Sequence, residues 1–164
     1  MVTRNVRLWP DPVLSQMCDS ADLADTTLTT LIDDMFETMY AANGRGLAAP
    51  QIGVLKRVFV VDVSWKEGTF DPRVFINPVI ETSSEDIVTM DEQCLSIPDL
   101  PMPVRRPDHI QMGWRNRDGT SSTAVFDGIL ARCIQHEFDH LNGTVIFDHQ
   151  SAEDRTRLEA SYAS

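Results

Sequence analysis

The sequence is poor in cysteine and in basic residues, and it has no long apolar run. Its three cysteines, Cys18, Cys94 and Cys133, are few and odd in number. This argues against a disulfide framework and favours a reducing cytoplasm. Lysine and arginine number 14 against 25 aspartates and glutamates, a formal net charge of -11. Such an acidic surface repels phosphate backbones, so we expect no nucleic-acid partner. Without a membrane-length apolar segment or an apolar signal core, we also expect a cytoplasmic protein with no membrane partner.

The remaining composition is that of an ordinary globular chain of 164 residues, 42% of them hydrophobic, and we expect residues 1–164 to form a single domain. Apolar spacing predicts a helix over 26–42, with Asp25 as its N-cap and Gly44 as its stop. A second helix is predicted from a cap at Asp127 to about residue 142, closed by Gly143, and a weak third one from about residue 152.

Alternating or β-branched segments predict strands between these helices. Turn residues 117–119 predict a hairpin between the two strands that flank them. The proline-dense segment 99–108 is predicted to be irregular. These elements indicate an α+β fold in which antiparallel strands pack on a few helices. The predicted strands are 57–63, 73–80, 87–90, 109–116, 121–126 and 144–147.

The second helix carries the pattern HExxH. His136 and His140 are four residues apart and therefore share one helix face, where they can bind one metal ion. Glu137 is suited to move protons to and from a water molecule at such an ion. The alternative is a chance pair of histidines beside a surface glutamate, but the pattern lies within an amphipathic helix, as the metal hypothesis requires.

A catalytic site of this type needs a third protein ligand. The third histidine of one metalloprotease pattern would fall at Ile146, so that pattern fails. Glu159 lies at the distance typical of thermolysin-like proteases. Cys133 would lie roughly 7 Å from the midpoint of the histidine pair along the helix axis, too far for its short side chain, so we expect it to line the site or fill the core. Cys18 is best interpreted as a small buried residue. Cys94 remains open as a ligand, a nucleophile or an inert thiol.

Residues 44–53, GRGLAAPQIG, contribute little to a core, because they combine three glycines, two alanines and a proline. Their small side chains suit a backbone that comes close to another group. Gln51 could be an exposed loop amide, or a neutral hydrogen-bond donor within a site.

Three segments, GRGLAAPQIG, EQCLS and QHEFDHLNG, resemble in this order the signature motifs of the peptide deformylases. The segments PDPVL, DDMFETMYAANG and INP are also similar to that family, and the resemblance extends from about residue 6 to residue 150. It implies antiparallel and mixed sheets packed around a central helix that bears HExxH. It also implies a single catalytic domain that removes the N-formyl group from the formylmethionine of new proteins.

The resemblance implies a role for each motif residue. Cys94, His136 and His140 would bind a metal ion, usually Fe(II) in the family, with zinc, nickel or cobalt as substitutes. Glu137 would take a proton from water and later give it to the leaving amine. The side-chain amide of Gln51 and the backbone N–H of Leu95 would stabilise the oxyanion. The residues expected at the substrate are Gly44, Arg45, Gly46, Glu92 and Cys133.

Two motif positions depart from the family. Arg45 stands where an apolar residue is common, and Gln93 stands where glycine is common before the cysteine. They motivate an alternative, a metallohydrolase of the same fold that acts on a different formylated or acylated amine or has weak activity. A non-catalytic binding protein and a thermolysin-like endopeptidase using Glu159 are further alternatives.

The C-terminal segment SAEDRTRLEASYAS has mixed charge, whereas many bacterial members carry a long basic helix that docks on the ribosome. The resemblance therefore implies formylmethionyl peptides as substrates and at most a transient ribosome contact.

Overall fold

The computed structural model describes residues 2–164 and confirms the α+β class. Three helices, α1 to α3, span Thr27–Ala41, Gly128–Leu141 and Ala152–Ala163. Within the described chain, no helix has the length and apolar character needed to cross a membrane. Seven strands, β1 to β7, span Gly46–Ala48, Val58–Val61, Arg73–Ser83, Ile87–Cys94, Ile97–Pro107, His109–Arg115 and Ser121–Asp127.

The strands form two antiparallel sheets, one of five strands in the order β1-β2-β3-β6-β7 and one of two strands, β4-β5. Part of the glycine-rich segment forms β1, and the strand order places β1 at one edge of the larger sheet. The predicted hairpin is present as β6 and β7, joined by a turn in which Gly119 has a φ of 87°.

The larger sheet lies between α1 and α2, and β2 shows why its sequence is continuously apolar. Val58 and Val60 belong to the core cluster that includes α1, whereas Phe59 and Val61 belong to the cluster that includes α2. Because successive strand residues face opposite sides, a strand covered by helices on both sides has no solvent-facing position. A third cluster joins β4, β5 and α3.

Both long helices lie close to their predicted positions, but the ends of α1 differ in detail. Thr26 is the N-cap, and the Asp25 carboxylate instead accepts a hydrogen bond from the Thr27 backbone N–H at 2.9 Å. Beyond the C-terminus, the left-handed residue is Asn43 with a φ of 61°, not Gly44. Asparagine tolerates this conformation because its short side chain bonds locally.

Two predicted elements were wrong. All but the last residue of segment 99–108 belong to strand β5, which ends at Pro107. The strand tolerates its prolines because it pairs only with β4 among the described strands, so its other edge needs no N–H donors. Residues 144–147 are not a strand, and a helical turn spans Ile146–His149. The Val145 N–H donates to the Asp148 carboxylate at 2.8 Å, which stabilises this turn, and the apolar residues are buried in the third cluster.

Candidate active site

Helix α2 places its two motif histidines in the protein interior on one face. His136 and His140 are 8% and 1% exposed, and their ring centroids lie 5.2 Å apart. The helix is amphipathic because Ala131, Ile134 and Leu141 pack against the five-stranded sheet. The histidines are therefore held by the packing of the whole helix, as the spacing predicted.

Strand β4 brings Cys94 to the histidine pair. The Cys94 Sγ lies 3.4 Å from His140 Nε2, and one donor atom each from Cys94, His136 and His140 lie within 4.8 Å of one another. Bond lengths of about 2.3 Å for sulfur and 2.1 Å for nitrogen around one tetrahedral ion imply similar separations between donor atoms. One thiol and two imidazoles therefore fit a divalent metal ion in both geometry and chemistry.

The Cys94 thiol is biased towards the thiolate that a metal requires. Burial alone would raise its pKa, but the charge of His140 and hydrogen bonds from both imidazoles outweigh burial and hold the pKa well below its ordinary value. Cys18, by contrast, has a pKa raised to about 11 by burial, and it packs in the core as predicted.

The ring of His136 is oriented by Glu92, two residues before Cys94 on the same face of β4. Glu92 Oε1 lies 2.9 Å from His136 Nδ1, which leaves Nε2 for the metal. Arg106 donates to both Glu92 oxygens at 2.6 and 2.9 Å, and Arg132 donates to Oε2 at 2.6 Å. Carboxylates that hold a ligand histidine in this way fix its tautomer and orientation.

The carboxylate of Glu92 is thus engaged by protein groups. Burial opposes its ionisation, but hydrogen bonds from His136 and Arg106 hold its pKa far below the ordinary value. Asp139 accepts from Arg106 at 2.9 Å and contacts His149 at 2.8 Å, so two carboxylates balance the charges of Arg106 and Arg132. Arg106, Arg132 and Asp139 were missed by sequence reasoning. The available signal was the charge of Arg132, one turn before His136 on the same face of the helix.

Glu137 points into the site with an unsatisfied oxygen. The residue is 4% exposed, and its Oε1 is buried with no hydrogen-bond partner among residues 2–164. Burial raises its pKa, against the opposing charges of His136 and His140. A buried carboxylate with a free oxygen and a raised pKa suits the role of a proton-accepting base.

The side-chain amide of Gln51 lies beside Cys94. Its Oε1 accepts the Ala48 backbone N–H at 2.9 Å, and because that N–H can only donate, the orientation of the amide is determined. Nε2 is left 3.1 Å from Ser96 Oγ and 3.7 Å from Cys94 Sγ. A neutral donor therefore lies beside the predicted metal ligand.

Close packing explains the first two glycines of the segment, Gly44 and Gly46. A Cβ at Gly46 would lie 2.5 Å from Glu137 Oε2 and 2.9 Å from Cys133 Sγ, and a Cβ at Gly44 would lie 2.6 Å from Leu95 Cδ1. The loop backbone thus forms one wall of the site directly over the predicted base.

An open cleft of about 810 Å³ contains these groups. Every predicted catalytic and substrate residue lines it, together with Cys94 and His136. Gln93 also lines it without backbone strain, since the non-glycine residues with positive φ in the described chain are Asn43, Asn77 and Asp99. Glu159 instead pairs with Arg155 at 3.0 Å on α3, and Cys94 takes the place near the histidines that the endopeptidase alternative assigned to Glu159.

Comparisons with known proteins agree with this geometry. The model of the polypeptide deformylase family matches residues 3–156. A peptide deformylase of Agrobacterium fabrum is 47% identical over 151 residues, covering 92% of this chain and 89% of that protein. Peptide deformylase 1 of Corynebacterium glutamicum is 48% identical over 155 residues, covering 94% and 91%. The crystal structure of a peptide deformylase from Synechococcus elongatus in complex with actinonin superposes with a TM-score of 0.91 at 36% identity, covering 98% of this chain and 88% of that one. The chain therefore belongs to the polypeptide deformylase family of metal-dependent hydrolases.

Proposed function

We propose that this deformylase holds one divalent metal ion with Cys94, His136 and His140 and uses Glu137, Gln51 and Leu95 to hydrolyse formylmethionyl peptides. The observation that carries the proposal is the convergence of three metal-donor atoms within 4.8 Å beside a buried carboxylate oxygen that lacks a partner. A non-catalytic binding protein would have no need of such a carboxylate, and the comparisons support a deformylase over the paralogue with a different substrate.

The reaction is the addition of water to the formyl carbon and the loss of the peptide amine. A bound ion supplies Lewis acidity, which lowers the pKa of water and polarises the formyl oxygen. Glu137 accepts the proton of the attacking water and later donates it to the leaving nitrogen. As the carbon–nitrogen bond breaks, formate and the free methionyl amine are released.

Gln51 and Leu95 act on the negative charge that develops on the formyl oxygen. The Ala48 contact fixes the orientation of the Gln51 amide with Nε2 beside Cys94, so an N–H that now donates to Cys94 or Ser96 can donate to the oxyanion without a flip of the amide. The backbone N–H of Leu95, at the residue after Cys94, is the second proposed donor. Gly44 and Gly46 bring the free edge of β1 to the peptide backbone, where a substrate can bind as an added strand.

Cys133 and Glu92 receive different roles in this proposal. Cys133 Sγ lies 3.5 Å from the Arg45 carbonyl and lines the cleft, a place suited to contact the methionine side chain. Glu92 also lines the cleft, but its oxygens are occupied by His136, Arg106 and Arg132, so we assign it to the orientation of His136.

We further propose Fe(II) as the ion in the cell, with zinc, nickel or cobalt as substitutes, because a thiolate and two imidazoles suit all of these ions. The proposed enzyme is a single catalytic domain over residues 1–164 that acts in the cytoplasm, with only transient ribosome contact. Co-sedimentation with ribosomes at low and high salt tests the last point, and a complex that survives high salt would contradict it.

The central test is formate release by protein prepared without oxygen and loaded with Fe(II) or Ni(II). A formyl-Met-Ala-Ser peptide should release formate, and the acetylated peptide serves as the control for selectivity. Glu137→Ala should keep the metal, measured by elemental analysis, and lose activity, whereas Cys94→Ala should lose both. No formate from folded, metal-loaded protein would overturn the proposal.

A further inference from the structure

Arg45 and Lys66 bring two positive charges to one wall of the cleft in a protein of net charge -11. Arg45 stands between Gly44 and Gly46, directly before strand β1, and Lys66 belongs to the short helical turn Trp65–Glu67. Neither charge takes part in the reaction steps proposed above. Because both line the cleft, they can contact a bound peptide outside its formyl group.

The helical turn is held firmly against the glycine loop. The Trp65 indole N–H donates to the Gly44 carbonyl at 2.9 Å, and its ring packs edge-on against Tyr40 with centroids 5.2 Å apart. Glu67 accepts from Arg45 Nη2 at 2.7 Å. Two side chains of this turn, Trp65 and Glu67, thus hold Arg45 and Lys66 beside the edge of β1.

The charge of this wall is not fully neutralised. Glu67 pairs with Nη2 alone, and the Arg45 Nε is buried without a hydrogen-bond partner in the described part of the chain. One carboxylate against two cations leaves an excess positive charge. Four acidic residues and a third cation also line the cleft, namely Asp91, Glu92, Asp99, Glu137 and Arg132, so charges of both signs surround a bound peptide and the positive excess is local to the Arg45 and Lys66 wall.

The location of these charges relative to Glu137 indicates which substrate residues they contact. Gly46 packs against the Glu137 carboxylate, so the formyl group lies at the Gly46 end of the edge. A strand advances about 3.3 Å per residue, and the residues after methionine therefore pass Arg45, Gly44 and the turn that carries Lys66.

We propose that Arg45 and Lys66 form a cationic subsite that selects formylmethionyl peptides with an acidic residue at the second or third position. This inference rests on the proposed function, because it concerns the same cleft and reaction. Exposed charge pairs contribute modestly, so each cation should change kcat/KM for an acidic over a basic peptide by roughly threefold.

The test compares formyl-Met peptides carrying Glu, Gln or Lys at position two or three, each with the metal-loaded full chain. The wild type should favour Glu over Lys at one of these positions, and the ratio should approach one as salt rises from about 0.1 M to 1 M, where the screening length falls from about 10 Å to 3 Å. Arg45→Met and Lys66→Met should each lower the ratio, and Glu67→Gln should raise it. Because the ratio is taken within each variant, partial loss of folding or of overall activity cancels.

Arg73→Met is the matched control, since Arg73 is an exposed arginine paired with Asp71 outside the residues that line the cleft. It should leave the ratio unchanged. Equal rates for Glu and Lys peptides, or a ratio that Arg45→Met and Lys66→Met do not change, would overturn the subsite while leaving the deformylase function intact. Absence of formate from every formylated peptide would instead overturn the function proposed above.

Discussion

Replacing Gly46 with alanine tests whether the glycine loop confines the proposed base. The added Cβ would lie 2.5 Å from Glu137 Oε2, and ordinary contact begins near 3.4 Å, so the carboxylate or the loop must move by about 0.9 Å. The φ of Gly46 is not positive, so alanine can adopt its backbone conformation without strain. Because a displacement of about 1 Å at reacting groups can cost on the order of 100-fold, we expect kcat for formate release to fall by about that factor.

The matched control is Gly113→Ala in β6. There the Cβ would lie 2.8 Å from the carboxylate oxygen of Glu81, which is exposed and free to move. We expect Gly113→Ala to keep nearly full activity, although both variants press on a glutamate oxygen. Metal content and thermal unfolding must be measured for both, because overpacking alone costs about 1–3 kcal/mol. If folded, metal-loaded Gly46→Ala keeps kcat within threefold of the wild type, confinement of Glu137 by the loop is refuted.

Three further outcomes follow from the contacts. Gln51→Leu should lower kcat by about 100- to 1000-fold at unchanged metal content, as removal of one oxyanion donor does elsewhere; a change in KM alone would contradict that role. Glu92→Gln should destabilise the fold by about 3–5 kcal/mol in denaturant unfolding, because it leaves Asp139 alone to balance the buried charges of Arg106 and Arg132. It should also weaken metal affinity about 10- to 100-fold in a competition titration. The backbone N–H of Val2 and the side chain of Arg4 lower the pKa of Asp34. Its contribution to stability is therefore present above the unfolded pKa and is lost as pH falls through the folded one. Asp34→Asn should flatten the acid side of a stability-against-pH curve, and an unchanged curve would contradict this.

Local patterns predicted the parts of the fold that depend on short-range spacing. The helices around residues 26–42 and 127–142 and the hairpin at Gly119 were confirmed, because apolar periodicity and turn residues act over a few neighbours. The segment 99–108 was wrongly predicted because proline is tolerated in a strand with an unpaired edge. Whether β5 has such an edge depends on the arrangement of the whole sheet, which local sequence does not show. The segment 144–147 was wrong because a buried helical turn and a buried strand share the same apolar composition.

The sequence by itself determined that His136 and His140 share a helix face, that Glu137 adjoins them, and that residues 44–53 are a segment of mostly small residues. These are consequences of helix geometry and side-chain size. Spacing alone left Cys94 and Glu159 open as the third ligand, argued against Cys133, and did not indicate Arg106 as a partner of Glu92. Tertiary structure decided these points. Packing of β4 against α2 joins residues more than 40 positions apart and brings the thiol to His140 and Glu92 to His136. The pairing of β4 with β5 brings Arg106 to Glu92, and α2 supplies Arg132.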